Sequence, residues 1–225
     1  MGVVGAAIKG FGKALTIGKR NKASKQVFDH IKGKPFPPRM QEKFRAADKR
    51  RAGMKKAGYK KEPYADTLLC PDSKNAILRS CGAGIAAANN IMKDNDKRIF
   101  CAVRPPGHHA ETVRANGFCF INNIAVAARY LQNEYEINKV AIIDFDVHHG
   151  NGTQEIFFQD KTVAYGSIHE FPLFPGTGSE QEIGIGNIFN APIVAGTEGK
   201  GFIKIFEDKI LENMTDCAQV FFAQR

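Results

Sequence analysis

Apolar positions follow two rhythms along this chain, and the rhythms alternate. In "SKNAILRSCGAGIAAANNIMKD" (73–94) they recur at three- and four-residue spacing, which predicts a helix capped by Ser73. "RIFCAV" (98–103) is a short β-rich run and predicts a buried strand. Helical spacing returns in "INNIAVAARYLQN" (121–133), with Asn122 or Asn123 near its start. "KVAIIDF" (139–145) is nearly all apolar, the pattern of a strand buried on both faces. A short helix over "NGTQEIFF" (151–158), a strand over "TVAYGSI" (162–168) and a long helix over "GFIKIFEDKILENM" (201–214) complete the series. Strands alternating with helices predict an α/β fold, a doubly wound parallel sheet with helices on both faces. Ligands of such sheets lie beyond the carboxyl ends of the strands.

Charge divides the chain in two. The net charge is +9 over 225 residues, but residues 1–62 hold 18 Lys and Arg against 4 Asp and Glu, a net of +14. The other 163 residues hold 14 against 19, a net of −5. The expected organisation is therefore a basic N-terminal arm (1–62), disordered or helical, before a mildly acidic body (63–225). In the arm, Val4, Ile8, Phe11 and Leu15 share one helical stripe beside Lys9 and Lys13. The run "MQEKFRAADKRRAGMKKAGYKK" (40–61) suits either a solvated arm or contact with nucleic acid or another anionic surface. The N-terminus has neither the charge pattern of a secretory signal nor, with Ala6 in place of Ser or Thr, a myristoylation motif. No apolar run approaches the roughly 18 residues that a membrane span needs. The five cysteines, Cys70, Cys81, Cys101, Cys119 and Cys217, form no C-x-x-C pair. Reduced thiols in a cytoplasmic protein are the expectation.

The candidate chemistry lies at the predicted strand ends. Five of the six histidines fall in three short segments there: His108 and His109, His148 and His149, and His169. Asp146 and His148 stand two apart, and on an extended segment that puts both side chains on one face, as two ligands of one metal require. Asp144 shares their parity and suits an acceptor behind them. Helix capping by the carboxylates and buried structural histidines is the plainer alternative. A second His-His pair after a neighbouring strand argues against it.

"RPPGHHA" (104–110), "GFCFINN" (117–123), "DFDVHHGNGT" (144–153) and "FPGTG" (174–178) resemble the zinc-dependent histone deacetylase family, which includes acetylpolyamine amidohydrolases. The resemblance runs from about Asp66 to about Leu211 and implies the parallel α/β fold shared with arginases. It implies zinc ligation by Asp146 and His148. It makes His108 and His109 the pair that moves protons around the zinc-bound water, with Asp144 orienting His108 and Asn151 partnering His109, as in class II members. A neutral amide raises an imidazole pKa less than a carboxylate does, which favours His109 as the general base. Phe118 and Phe174 correspond to the walls of the acyl-lysine channel, and Gly117 to the carbonyl that receives the substrate N–H. Ser167 and Ile168, with the carbonyls of Asp144, Asp146 and His148, correspond to a structural K+ site. Gly150 stands where an arginase-type bridging carboxylate would be needed, so one zinc is expected rather than two metals.

The family's third zinc ligand and its transition-state tyrosine are not found in "DCAQVFFAQR", where Asp216 is the one carboxylate. The expectation is a deacetylase domain truncated at its C-terminus, its sheet incomplete and its activity impaired. The functions to separate are zinc-dependent hydrolysis of acetyl-lysine or acetylpolyamine, non-catalytic acyl-lysine binding, and nucleic-acid or surface binding through the basic arm.

Overall fold

The computed structural model describes Thr67, Leu69, residues 72–93 and 98–214, and the backbone of 220–224. The basic arm and Asp216 lie outside these residues. The elements run in the order α1 (Ser73–Met92), α2 (Asn123–Tyr135), β1 (Val140–Asp144), α3 (Asn151–Phe157), β2 (Val163–Glu170) and β3 (Ile188–Ile193). They continue with α4 (Gly199–Phe206), a π-helical stretch (Glu207–Leu211), the single turn α5 (Glu212–Met214) and β4 (Val220–Gln224). The four strands form one sheet in the order β3-β2-β1-β4, and all three pairings are parallel.

Strand parity explains the two layers. On one face, Val140 and Ile142 of β1 join Val163 and Tyr165 of β2, and Ile124, Ala128 and Phe157 from α2 and α3 cover them. On the other, Ala141, Ile143, Ala164 and Ile168 lie under Ile210 and Met214. Helices on both faces of a parallel sheet are the architecture expected from the apolar runs. Gly166 permits the close approach on the second face, since a Cβ there would lie 2.4 Å from Met214 Sδ. Phe202, Phe206, Ile210 and Met214 all belong to that layer. Spacing by four drifts forward around an α-helix, and the wider turn of the π stretch offsets the drift. The single helix expected over 201–214 is therefore interrupted.

Two further expectations are corrected. Residues 98–103 form no strand, and Phe100 is 65% exposed. Both edges of β1 are taken by β2 and β4, and the run pairs with neither outer strand of the described sheet. Asp72, not Ser73, occupies the cap position of α1, and it makes no side-chain capping bond. At α2 the expected asparagine does cap: Asn122 Oδ1 accepts from Ala125 N at 3.1 Å. β3 and β4 were not anticipated. No helix among the described residues is long and apolar enough to cross a membrane.

Candidate active site

β1 delivers Asp144 to its carboxyl end on the face shared with Tyr165. The Asp144 carboxylate is fully buried. Its Oδ2 lies 2.9 Å from His108 Nδ1 and accepts from the Tyr165 hydroxyl at 3.0 Å, while Oδ1 accepts from Asp146 N at 3.2 Å. Gly150 leaves room for this knot, because a Cβ there would sit 2.3 Å from Asp144 Oδ2. Tyr165 gave no sign of itself in the sequence beyond one general rule: a tyrosine inside a buried strand must find a partner for its hydroxyl.

The two histidines of "RPPGHHA" meet different partners. His109 Nδ1 is 2.8 Å from Asn151 Oδ1, at the first residue of α3. The rings of His108 and His109 are 4.0 Å apart between centroids. Burial works against a proton on His108, but the hydrogen bond and charge of Asp144, with Asp146 beyond, raise its pKa overall. His109 is pushed down to about 4, by burial first and by neighbouring His108 second. Adjacent imidazoles with pKa values driven apart suit opposite protonation states.

Asp146 and His148 do not lie on an extended segment as expected; they follow β1 in a run of bends. The bends still converge them. His148 Nδ1 is 3.1 Å from Asp146 Oδ1, and His148 N donates to that oxygen at 2.8 Å. His108 Nε2 stands 4.0 Å from the same oxygen. An imidazole nitrogen and a carboxylate oxygen meeting at a half-exposed edge are a donor set that fits zinc, as two of its ligands. Among the described residues, no group of three or more His, Cys, Asp or Glu side chains is arranged to hold a metal ion.

Phe174 packs its ring edge-on against His109 at 5.0 Å and against His148 at 6.1 Å, while 44% of it stays exposed. Phe118 is 60% exposed and holds a positive φ of 63°, rare for a residue with a side chain. Its neighbour Gly117 has φ 52°, and a Cβ there would come 2.3 Å from His109 Cδ2. The Gly117 carbonyl accepts from the Cys119 thiol at 3.2 Å.

His149 and His169 form a second pair behind the first, with ring centroids 4.7 Å apart. His149 bridges Thr177 Oγ1 (2.7 Å) and Gln154 Oε1 (3.1 Å). His169 bridges Ser167 Oγ (2.9 Å) and the Gly178 carbonyl (3.0 Å). Burial lowers both pKa values, that of His149 to about 4. These are satisfied structural histidines that tie the "FPGTG" loop, and with it Phe174, to β2 and α3. Ser167 and Ile168 are buried in β2, where Ser167 is the register partner of Asp144.

A family model described as the histone deacetylase domain matches residues 19–219. The chain belongs to the histone deacetylase family. The match takes in residues 19–62, most of the basic segment. Among relatives of this deacetylase-family chain, a probable deacetylase of Archaeoglobus fulgidus is 39% identical over 151 residues, 65% of this chain and 42% of that protein. Human histone deacetylase 9 is 44% identical over 117 residues, 51% of this chain and 12% of that protein. The crystal structure of the HDA15 HD domain superposes with a TM-score of 0.72 at 31% identity, covering 92% of this chain and 66% of that one. An acetylpolyamine aminohydrolase from Burkholderia pseudomallei gives 0.62 at 33% identity, covering 67% and 45%. This deacetylase-family chain spans less than half the length of the curated relatives it matches.

Proposed function

We propose that this chain carries a zinc-dependent amidohydrolase site for the acetyl amide of lysine or of a polyamine. One observation carries the reading: adjacent imidazoles with different partners, His108 on the buried Asp144 carboxylate and His109 on the Asn151 amide, beside the converging Asp146 and His148. Asp146 and His148 would hold zinc, which when bound would supply Lewis acidity to the acyl carbonyl and to an attacking water. His109, neutral, takes the water's proton at Nε2, and a proton from the pair passes to the departing amine. His108, held by Asp144, steadies the negative charge that develops at the carbonyl. Phe118 and Phe174 wall an apolar slot that admits an acetylated amine more readily than a charged one. The Gly117 carbonyl accepts the substrate N–H. A structural K+ beside Ser167 and Ile168, with the carbonyls of Asp144, Asp146 and His148, belongs to the same proposal. Cys81, Cys101 and Cys119 are free thiols, which supports a cytoplasmic location.

A second reading is a non-catalytic acyl-lysine-binding module. The pairing of only two metal ligands among the described residues favours it. Catalytic zinc sites commonly use three protein ligands, so we propose weak zinc binding and slow turnover for the 225-residue chain. Zinc titration by calorimetry, with deacetylation of an acetyl-lysine peptide and an acetylpolyamine, separates the readings. The first requires zinc binding that His148→Ala abolishes and zinc-dependent turnover that His109→Ala abolishes. Peptide binding with no turnover at saturating zinc supports the second and sinks the first.

A further inference from the structure

We propose that Glu111 is a positioning residue for His109: acting through the Asn151 side chain, it fixes which ring nitrogen of His109 carries the proton. The Asn151 amide lies between two partners. Its Oδ1 is 2.8 Å from His109 Nδ1, and its Nδ2 donates to Glu111 Oε1 at 2.6 Å. An ionised carboxylate only accepts, so the amide must turn its NH2 toward Glu111 and its oxygen toward the imidazole. That oxygen can only accept, so His109 must donate from Nδ1. The neutral ring then presents a bare Nε2, the atom that a general base needs. Turn the amide over and its NH2 faces Nδ1. The proton must then sit on Nε2, and the base is lost. Asn151 alone leaves the two orientations open, because both ends of an amide can hydrogen-bond an imidazole. Glu111 closes one of them.

The surroundings hold Glu111 to this task. Thr112, its neighbour, donates from N (2.8 Å) and Oγ1 (2.7 Å) to Glu155 Oε2. Glu155 and Asn151 stand four apart on α3, so one helix face grips the segment at two successive residues. The Glu111 N–H donates to the Arg114 carbonyl at 2.9 Å, and Thr153 N donates to the His108 carbonyl at 3.1 Å. Gly152 lets α3 press against the segment, since a Cβ there would lie 2.4 Å from the Ala110 carbonyl oxygen. Glu111, Asn151 and Glu155 also line a hollow of about 800 Å³ on the outer side of α3.

The importance of the tautomer for catalysis rests on the deacetylase reading; the tautomer itself does not. The test is a long-range ¹H–¹⁵N correlation spectrum of the histidine rings in the metal-free 225-residue chain. Wild type should show His109 in the Nδ1–H form. Glu111→Ala should shift the ratio toward Nε2–H by on the order of tenfold, the worth of one hydrogen bond. His108, tied to Asp144, should not change and serves as the folding control. Adding Asn151→Asp to Glu111→Ala should restore the Nδ1–H form, because a carboxylate has no donor face. Glu111→Gln, nearly isosteric, should shift the ratio less than Glu111→Ala. An Nε2–H form in wild type overturns the proposal, as does an unchanged ratio in Glu111→Ala with His108 intact. Should Glu111→Ala fail to fold, Glu111→Met, of similar size but with no oxygen to accept from Asn151 Nδ2, replaces it: an Nε2–H shift there sustains the proposal and an unchanged ratio overturns it. Absence of turnover would count against the proposed activity and leave the tautomer result untouched.

Discussion

Asp144→Asn tests whether the buried carboxylate holds the site together or merely survives there. The carboxylate receives His108 Nδ1, the Tyr165 hydroxyl and the Asp146 N–H. An asparagine can present its oxygen to one side only. With NH2 at the Oδ1 position it faces the Asp146 N–H, donor against donor. With NH2 at the Oδ2 position it faces Nδ1 of His108, which can accept only as the Nε2–H tautomer, so the ring must give up its Nδ1 proton while the Tyr165 hydroxyl rotates. Either a buried donor loses its acceptor, at about 1–3 kcal/mol, or His108 is forced into its other tautomer. The His108 bond also loses its charge assistance. Relief from burying an anion offsets part of this. A net loss near 2 kcal/mol follows, and at ~2–4 °C per kcal/mol for a protein of this size Tm should fall by ~4–8 °C. Thermal unfolding of the metal-free protein at neutral pH measures it. A companion cycle with Tyr165→Phe should show coupling of at least ~0.5 kcal/mol, since both changes act on the same oxygen. A variant as stable as wild type, or more so, would refute the reasoning, because desolvation of the carboxylate would then outweigh its bonds.

Three other outcomes follow from the same geometry. Gly178→Ala combines a φ of 93° with a Cβ 2.4 Å from His169 Nε2, so it should lower Tm by several degrees. A tryptophan placed at 174 as a fluorescent reporter should redden in that background if the loop loosens, and no change in either signal would remove the loop-anchoring role. At Asp160, burial opposes the charge, but Thr162 and Arg129 prevail and hold its pKa below the ordinary value of 3.8. A depressed carboxyl stabilises above its unfolded pKa and loses that contribution as pH falls through its folded pKa, so the cost of Asp160→Asn in urea should be full at pH 6 and shrink below pH 4; a constant cost would contradict this. The +14 of residues 1–62 should give DNA retention that weakens steeply with salt, and equal retention by residues 63–225 alone would rule it out.

The sheet was legible where burial on both faces wrote a continuous apolar run, as at Val140–Asp144 and Val163–Glu170. β3 escaped notice because "IFNAPI" carries Asn190 and Pro192. Both residue types are rare in strands, and only an edge position tolerates the proline. Residues 98–103 misled for the opposite reason: β propensity without a neighbouring strand makes no strand. In the site, spacing could suggest Asp146 with His148, and the motif resemblance placed His108, His109, Asp144 and Asn151 in one centre. Spacing could not supply Glu111 or Tyr165, whose partners lie 40 and 21 residues away in the chain. Nor could it separate His149 and His169, which hold a loop, from the histidines beside Asp146.

The segment carrying His108 and His109 has no strand of its own. It is fastened to α3 by the Thr153–His108, Thr112–Glu155, Asn151–His109 and Asn151–Glu111 bonds, to α1 and α2 by Ser80 and Asn123 on the Pro105 carbonyl, and to β1 by one imidazole on Asp144. We expect the two halves of the centre to differ in local stability, since mostly side-chain bonds rather than a strand ladder hold the imidazole half. The Asp144 half shares the full protection of the sheet, whereas the imidazole half can detach in a partial opening that leaves the sheet folded. Hydrogen exchange at Thr112 and Thr153 will then run ahead of exchange at Ile142, and the free energy separating the two rates is the free energy of assembling the centre.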